Sequence, residues 1–257
     1  MNLIKKIKKK KELQDLPDSF VKEVLQNYLT KSKIKPPFSD KQEKVIMKEI
    51  RAQLRKYSGM FQKNISQKKR IEFLEKEDIE SLLKTHSSTK ERIESNSYPL
   101  IIREIKKLNP QSILDLGCGI NPIAISKKLN PKILKYFASD IKENDLEIVK
   151  KFFAKNKIKG KVYTSNLTKE KEFPKTDLCI LFKVLDIIET KGHKIAENIL
   201  KKIPSKVILI SFSTKTLSSK PMKNKRRFWL ENMSKRLGYS YKSFYTSNEI
   251  FYIVRKN

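Results

Sequence analysis

The 257-residue chain carries 58 Lys or Arg against 28 Asp or Glu, a formal net charge of +30 with a sequence pI near 9.9. Its 38% hydrophobic residues, 13 Phe and 9 Tyr among them, suffice for a packed core and exclude global disorder. Two cysteines, Cys118 and Cys179, cannot form a disulfide framework, and no CxxC or His-rich spacing points to zinc, so no metal is expected. So large an excess of one sign calls for a polyanionic partner, nucleic acid or an anionic membrane surface. A compositional lysine bias, or charge kept for solubility, stays open beside it.

The opening stretch, Met1 to Lys11, is basic with only Leu3, Ile4 and Ile7 as apolar breaks. It reads as a frayed terminus or as a short arm on RNA or membrane, and it lacks the apolar segment of a secretion signal. No apolar run approaches the roughly 18–20 residues of a membrane span, so a cytoplasmic protein is expected.

Phe20, Val21, Val24, Leu25, Tyr28 and Leu29 form one apolar stripe of a helix. Pro36-Pro37 interrupts, and Ser39 followed by Gln42 reads as a capping box for a second helix bearing Val45, Ile46, Ile50, Leu54 and Tyr57. A third helix is expected from about Lys69 to Lys84, with Ile71, Leu74, Ile79, Leu82 and Leu83 inward.

After residue 110 the pattern changes to short β-rich runs: Ser112 to Leu116, Tyr136 to Ser139, Lys161 to Thr164, Leu178 to Phe182 and Lys206 to Phe212. Helical stretches such as Glu143 to Lys155 and Ile187 to Lys202 alternate with them, which implies βαβ units on a parallel sheet. Tyr241 to Tyr245 and Glu249 to Val254 read as a terminal antiparallel hairpin. The expected architecture is α/β: a Rossmann-like class I methyltransferase sheet over 86–257, behind an all-helical N-terminal domain over 1–85.

Ser112 to Gly119 is an apolar strand running into a turn with Gly117 and Gly119, where the backbone can approach a ligand. Asn121-Pro122 stands where a dinucleotide fingerprint needs a third glycine, which favours S-adenosylmethionine over NAD. Asp140 ends the next strand, about 20 residues on, where a carboxylate can accept from both ribose hydroxyls. Asn166, ahead of Leu167, reaches adenine's amino edge or merely shapes a turn.

The fourth strand ends in Leu181-Phe182-Lys183-Val184-Leu185-Asp186, without the Asn/Asp-Pro-Pro-aromatic run of enzymes that methylate exocyclic amines. Neither cysteine is placed to form the covalent adduct of base C5 methylation. What remains is an acceptor that is nucleophilic without losing a proton, and guanine N7 is such an atom. Lys183 could donate to the neighbouring O6 or to a phosphate, or simply extend from a strand end into water.

Three segments carry a resemblance to the aminoglycoside-resistance 16S rRNA (guanine-N7) methyltransferases, the Arm or FmrO-like family. His86-Ser87-Ser88-Thr89-Lys90-Glu91-Arg92-Ile93 is similar to that family's His-x-Ser-Thr-x-Glu-Arg-Leu signature. Gly117 to Pro122 resembles its cofactor turn. Ser211 to Leu217, with Met222 and Asn248 to Val254, resembles its C-terminal third. The likeness covers roughly residues 85–257.

It implies that Arg92 pairs with the cofactor carboxylate, and that Asp115, Gly117, Gly119, Asp140, Asn166 and Leu167 complete the S-adenosylmethionine site. It further implies that Lys183 acts at the target, with Lys215, Met222, Lys223, Arg226 and Arg227 on the RNA. The substrate would be the decoding A-site of 16S rRNA in the 30S subunit, approached by a monomer through its helical front. Read locally, Ser88 to Glu91 is also a capping box. The chain departs from the family pattern at Asn166, Asp186, Ser213 and Ser218 to Pro221. Two other readings stand: methylation of another rRNA or tRNA atom, and a non-catalytic basic RNA-binding assembly factor on the same fold.

Overall fold

The computed structural model describes residues 3–57, 65–129, 134–189, 192–216 and 220–257. The front comprises α1 (Leu3–Ile7), a 3-10 turn (Lys11–Leu13), α2 (Asp18–Ser32) and α3 (Asp40–Arg55). Helix α3 begins at the expected capping box: Gln42 N donates to Ser39 Oγ at 3.3 Å, and Ser39 N donates to Gln42 Oε1 at 2.9 Å. These helices close on their own apolar cluster, running from Ile7 through Phe20, Val21 and Leu25 to Ile46, Ile50 and Leu54. Val45 is 48% exposed, because it lies about 100° round the helix from the buried Ile46.

The single helix expected over 69–84 is two, α4 (Gln67–Glu75) and α5 (Ile79–Leu83). The chain breaks at Glu77, whose φ is +59°, and Asp78 then caps α5 by accepting from Ser81 N at 3.0 Å. An Asp side chain that satisfies a free backbone N–H competes with helix continuation, and here it wins. Leu74, Leu82 and Leu83 belong to the same apolar cluster as the sheet. By packing, the front therefore ends before α4, earlier than residue 85.

There follow α6 (Ser87–Glu94), α7 (Tyr98–Leu108), β1 (Ser112–Leu116), α8 (Asn121–Lys128), β2 (Lys135–Asp140), α9 (Glu143–Lys155), β3 (Lys159–Thr164) and β4 (Leu178–Phe182). The chain continues through α10 (Leu185–Ile188), α11 (Lys194–Lys202), β5 (Val207–Ser213), α12 (Phe228–Arg236), β6 (Ser240–Tyr245) and β7 (Glu249–Arg255). The helix expected over 187–202 is thus α10 and α11, separated where Gly192 and His193 take φ of +91° and +55°.

The seven strands lie in the order β3-β2-β1-β4-β5-β7-β6, with β7 antiparallel to both neighbours. Helices cover both faces, so β1 and β4 are buried throughout their apolar residues and read as continuous hydrophobic runs. The order reverses between β1 and β4, which opens a crevice at the carboxyl ends of the strands, where ligands of such sheets bind.

Candidate functional site

At that crevice lies a cleft lined from β1, β2, β4 and the helices around them. Its floor is the β1–α8 turn, where Gly117 and Gly119 have φ of +64° and +51°. A Cβ at Gly117 would stand 2.5 Å from Val184 Cγ2, and one at Gly119 would stand 2.8 Å from His86 Nε2. Both glycines are therefore required by backbone angle and by neighbours.

Asp140, at the end of β2, clamps this turn. Its Oδ2 accepts from Gly119 N at 2.7 Å and its Oδ1 from Lys142 N at 3.0 Å. Burial raises its pKa against those donors. Asp115, on β1, accepts from Tyr136 Oη at 2.8 Å and from Asn121 Nδ2 at 3.3 Å. Burial pushes its pKa up to about 7. Its carboxyl faces the cleft as a group a ligand cation can ionise.

Asn121, which replaces the third glycine of a dinucleotide turn, is a hub. Its Oδ1 accepts from Tyr98 Oη at 3.0 Å and from Arg92 Nη1 at 3.3 Å, while its amide reaches Asp115. Arg92, from the last turn of α6, is 1% exposed and grips Glu249 of β7 with two parallel bonds, Nε–Oε1 2.8 Å and Nη2–Oε2 3.0 Å. Its guanidinium also lies 4.8 Å from the centre of the Phe182 ring. Burial opposes the charge, but the Glu249 carboxylate outweighs it and the pKa of Arg92 is raised.

Lys183 follows β4 with φ of +57°, a left-handed conformation unusual outside glycine, held by its N–H donating to Ser211 O at 2.9 Å. Its Nζ meets Glu91 Oε2 at 2.5 Å and stands 3.6 Å from Glu249 Oε1. Glu91 therefore pairs with Lys183 and does not close a capping box. His86 occupies the N-cap of α6 without a side-chain capping bond, and Thr89 Oγ1 donates to His86 O at 3.0 Å.

Asn166 and Leu167 line the same cleft, and Leu167 is buried. Eight of the expected side chains or turn positions thus converge: Arg92, Asp115, Gly117, Gly119, Asp140, Asn166, Leu167 and Lys183. Lys215, Met222, Lys223, Arg226 and Arg227 do not line it. Lys215 pairs with Pro221 in an isolated bridge, and Met222 N donates to Thr214 O at 2.8 Å.

Arg227 is turned inward, whereas Arg226 is exposed and pairs with Glu231 at the surface. Arg226 Nε donates to Glu231 Oε1 at 2.9 Å. Arg227 Nη2 donates to Asp186 Oδ2 at 2.9 Å and to Ser213 O at 3.0 Å, with its guanidinium 5.0 Å from the Phe212 ring centre. Asp186 thus pairs with Arg227. Lys223 is exposed. Leu217, Ser218 and Ser219 lie outside the described residues.

Sequence reading assigned no role to His86, Tyr98, Asn121, Glu249 or Tyr57. An acidic residue opening the apolar run of β7 was the visible signal for Glu249; His86 and Asn121 stood in the signature and cofactor-turn segments and Tyr57 on the second helix, while no local pattern marks Tyr98. His86 is buried 4.0 Å from Asp145, and burial lowers its pKa to about 3, so the imidazole is neutral. Cys118 is also buried, which holds its thiol well above the usual range and out of nucleophilic use.

A cleft with no activated nucleophile, a glycine floor, a carboxyl at a strand end and a charged wall suits transfer from a bound donor to an acceptor that supplies its own electron pair. No helix among the described residues is long and apolar enough to cross a membrane.

The chain is similar to several known proteins. The chain is 25% identical over 178 residues to a 16S rRNA (guanine(1405)-N(7))-methyltransferase of Micromonospora echinospora, covering 68% of this chain and 64% of that one. It is 24% identical over 183 residues to the enzyme of the same description from Frankia casuarinae, covering 69% and 64%. The chain thus spans about 64% of the length of these curated relatives. Among solved structures, the 16S rRNA methylase RmtB superposes with a TM-score of 0.81 at 21% identity, over 100% of this chain and 99% of that one. The 16S rRNA methylase ArmA does so with a TM-score of 0.60 at 28% identity, over 76% and 100%. The FmrO description, ribosomal RNA methyltransferase, matches residues 74–253, the stretch that holds both the sheet and nearly all of the cleft, and the chain belongs to that family.

Proposed function

We propose that this chain methylates N7 of a guanine in the decoding A-site of 16S rRNA, taking the methyl from S-adenosylmethionine. In this reading it acts as a cytoplasmic monomer on the assembled 30S subunit and confers aminoglycoside resistance. The observation that carries the reading is the coincidence of the family match, residues 74–253, with a cleft whose charged groups fit the donor.

That fit is chemical. Asp115, with a pKa near 7, suits an ammonium group, while Arg92, expected on the donor carboxylate, is held by Glu249 and Asn121 and forms the charged wall beside it. Asp140 suits ribose hydroxyls, and the glycine turn lets a ligand approach the backbone. When bound, the sulfonium donor supplies an electrophilic methyl group and departs as a neutral thioether.

Guanine N7 forms the new bond with its in-plane lone pair, so no proton must leave and no general base is needed. The residues orient, exclude water and balance charge. Lys183 Nζ, steadied by Glu91 and Glu249, would donate to guanine O6 or an adjacent phosphate.

Lys215, Met222, Lys223 and the exposed Arg226 would meet the RNA, with Arg227 anchoring their segment from within. On α3 the exposed Lys41, Lys44 and Lys48 share one side and would contact phosphates. The test is to incubate 30S subunits with the purified chain and S-adenosylmethionine, then locate 7-methylguanosine by strand cleavage and mass spectrometry. Subunits that emerge without it would rule the proposal out.

A further inference from the structure

A second opening beside the cleft runs between α2 and the ends of β2 and β3, and shares Ile141, Ser165 and Asn166 with it. The front is tied to the cofactor side across this opening. Asn166 Nδ2 donates to Glu23 Oε2 on α2 at 3.2 Å, and Lys169 Nζ pairs with the same oxygen at 3.0 Å. Ile141, the residue after Asp140, packs into the apolar cluster of the front.

Asn166 has a fixed orientation. Its Oδ1 accepts from Thr168 N at 3.2 Å and Thr168 Oγ1 at 2.8 Å, which leaves its NH₂ for Glu23. Both ends of the amide are committed within the protein. Asn166 is built as a strut between the cofactor loop and α2.

From the other side, Tyr57, just beyond α3, lines the main cleft. Its ring meets Phe20 of α2 edge-on, with centroids 5.0 Å apart, and it packs against both the cluster of the front and that of the sheet. Burial, and then the charge of Glu23, raise the pKa of its hydroxyl, which places that carboxylate within electrostatic reach.

We propose that the helical front is a wall of the donor pocket, with Tyr57 closing it and the Glu23–Asn166 strut holding α2 against it, so that donor occupancy and the seating of α2 stabilise each other. This rests on the reading of the cleft as an adenosylmethionine site and adds that the element proposed to dock on RNA senses whether the donor is present. Thermodynamic reciprocity requires that whatever seats α2 also tightens the donor.

The experiment titrates the full chain with S-adenosylhomocysteine by calorimetry and follows backbone hydrogen exchange with and without it. Saturation slows exchange in the amides of α2 as well as in the glycine turn. Tyr57→Ala binds roughly tenfold more weakly, while Tyr57→Phe, which keeps the ring, stays within about twofold of the native chain. Glu23→Ala, at a half-buried surface position, folds normally, binds more weakly and loses protection in α2 while keeping it at Gly117 to Gly119. Unchanged exchange in α2 at saturation, or native affinity in both Tyr57→Ala and Glu23→Ala, overturns the coupling and leaves the donor site standing. A native chain that shows no binding of S-adenosylhomocysteine overturns the donor site itself, and the coupling with it.

Discussion

Arg92 and Glu249 stand 157 residues apart in the chain and meet as a buried, two-point ion pair between α6 and the last strand. The pair locks the C-terminal hairpin to the helix that carries the signature segment, and through Glu249 it also reaches Ser211 Oγ at 2.7 Å and Lys183. Truncating one partner strands a charge out of water. Glu249→Ala is expected to cost about 3–5 kcal/mol of stability and to abolish binding of S-adenosylhomocysteine. Denaturant unfolding and calorimetry check this, and a variant of native stability would show the pair to be dispensable.

His86 is neutral in the fold, with its pKa lowered to about 3 by burial, whereas in the unfolded chain it takes up a proton near its ordinary 6.5. The unfolded state therefore binds more protons between those values, and stability falls as pH drops from about 6.5 towards 3. Asp145, whose pKa is lowered to about 2 because Arg70 outweighs the cost of burial, adds a further loss below about pH 4. His86→Asn should flatten the upper part of this slope. Melting temperatures at pH 7 and pH 4.5 read it, and an unchanged slope in the variant would place the acid sensitivity elsewhere.

Asp115 titrates in the opposite sense. Its folded pKa of about 7 lies above its ordinary value, so its ionisation costs stability as pH rises from about 4 to 7. A bound ammonium favours the carboxylate, so affinity for S-adenosylhomocysteine should rise as pH passes through about 7 and then level off. Asp115→Asn should bind more weakly and lose that pH dependence. Calorimetry between pH 6 and 8 decides.

Lys183 joins a strained backbone to a positioned ammonium. Lys183→Gly relieves the left-handed conformation and should be about 1 kcal/mol more stable than Lys183→Ala. Both variants should keep the affinity for S-adenosylhomocysteine while losing most turnover on 30S subunits. Equal turnover in Lys183→Ala and the native chain would remove the lysine from the target side.

Phosphate contacts and internal anchors separate by their dependence on salt. Lys223→Ala is expected to lower the slope of log affinity for 30S subunits against log salt by about 1, with folding untouched. Arg227→Ala should instead destabilise the fold, since it releases Asp186 and bares the face of Phe212. Salt titration of binding, beside thermal melts, distinguishes the two; reversed outcomes would place Arg227 on the RNA.

What the chain announces locally is large. The capping box at Ser39 and Gln42, the alternation of strand and helix after residue 110, the glycine turn and Asp140 a strand later all depend on neighbours a few residues away, and all stand where periodicity and turn chemistry place them. Local rules misled where two of them competed: Asp78 broke a helix whose apolar spacing ran on, and Glu91 left its cap for Lys183.

Partnership was a matter for the tertiary structure alone. Charge composition counts Arg227 among the cations available to RNA, yet packing delivers Asp186, the Ser213 carbonyl and the Phe212 ring to it, and its guanidinium is spent inside. The grip of Arg92 on Glu249, 157 residues away, the Asn121 hub with Arg92 and Tyr98, 29 and 23 residues away, and the entry of Tyr57 into the cleft likewise join distant segments. Residue type sets which interactions a side chain is able to make, and the meeting of distant elements in the folded core selects the one it does make.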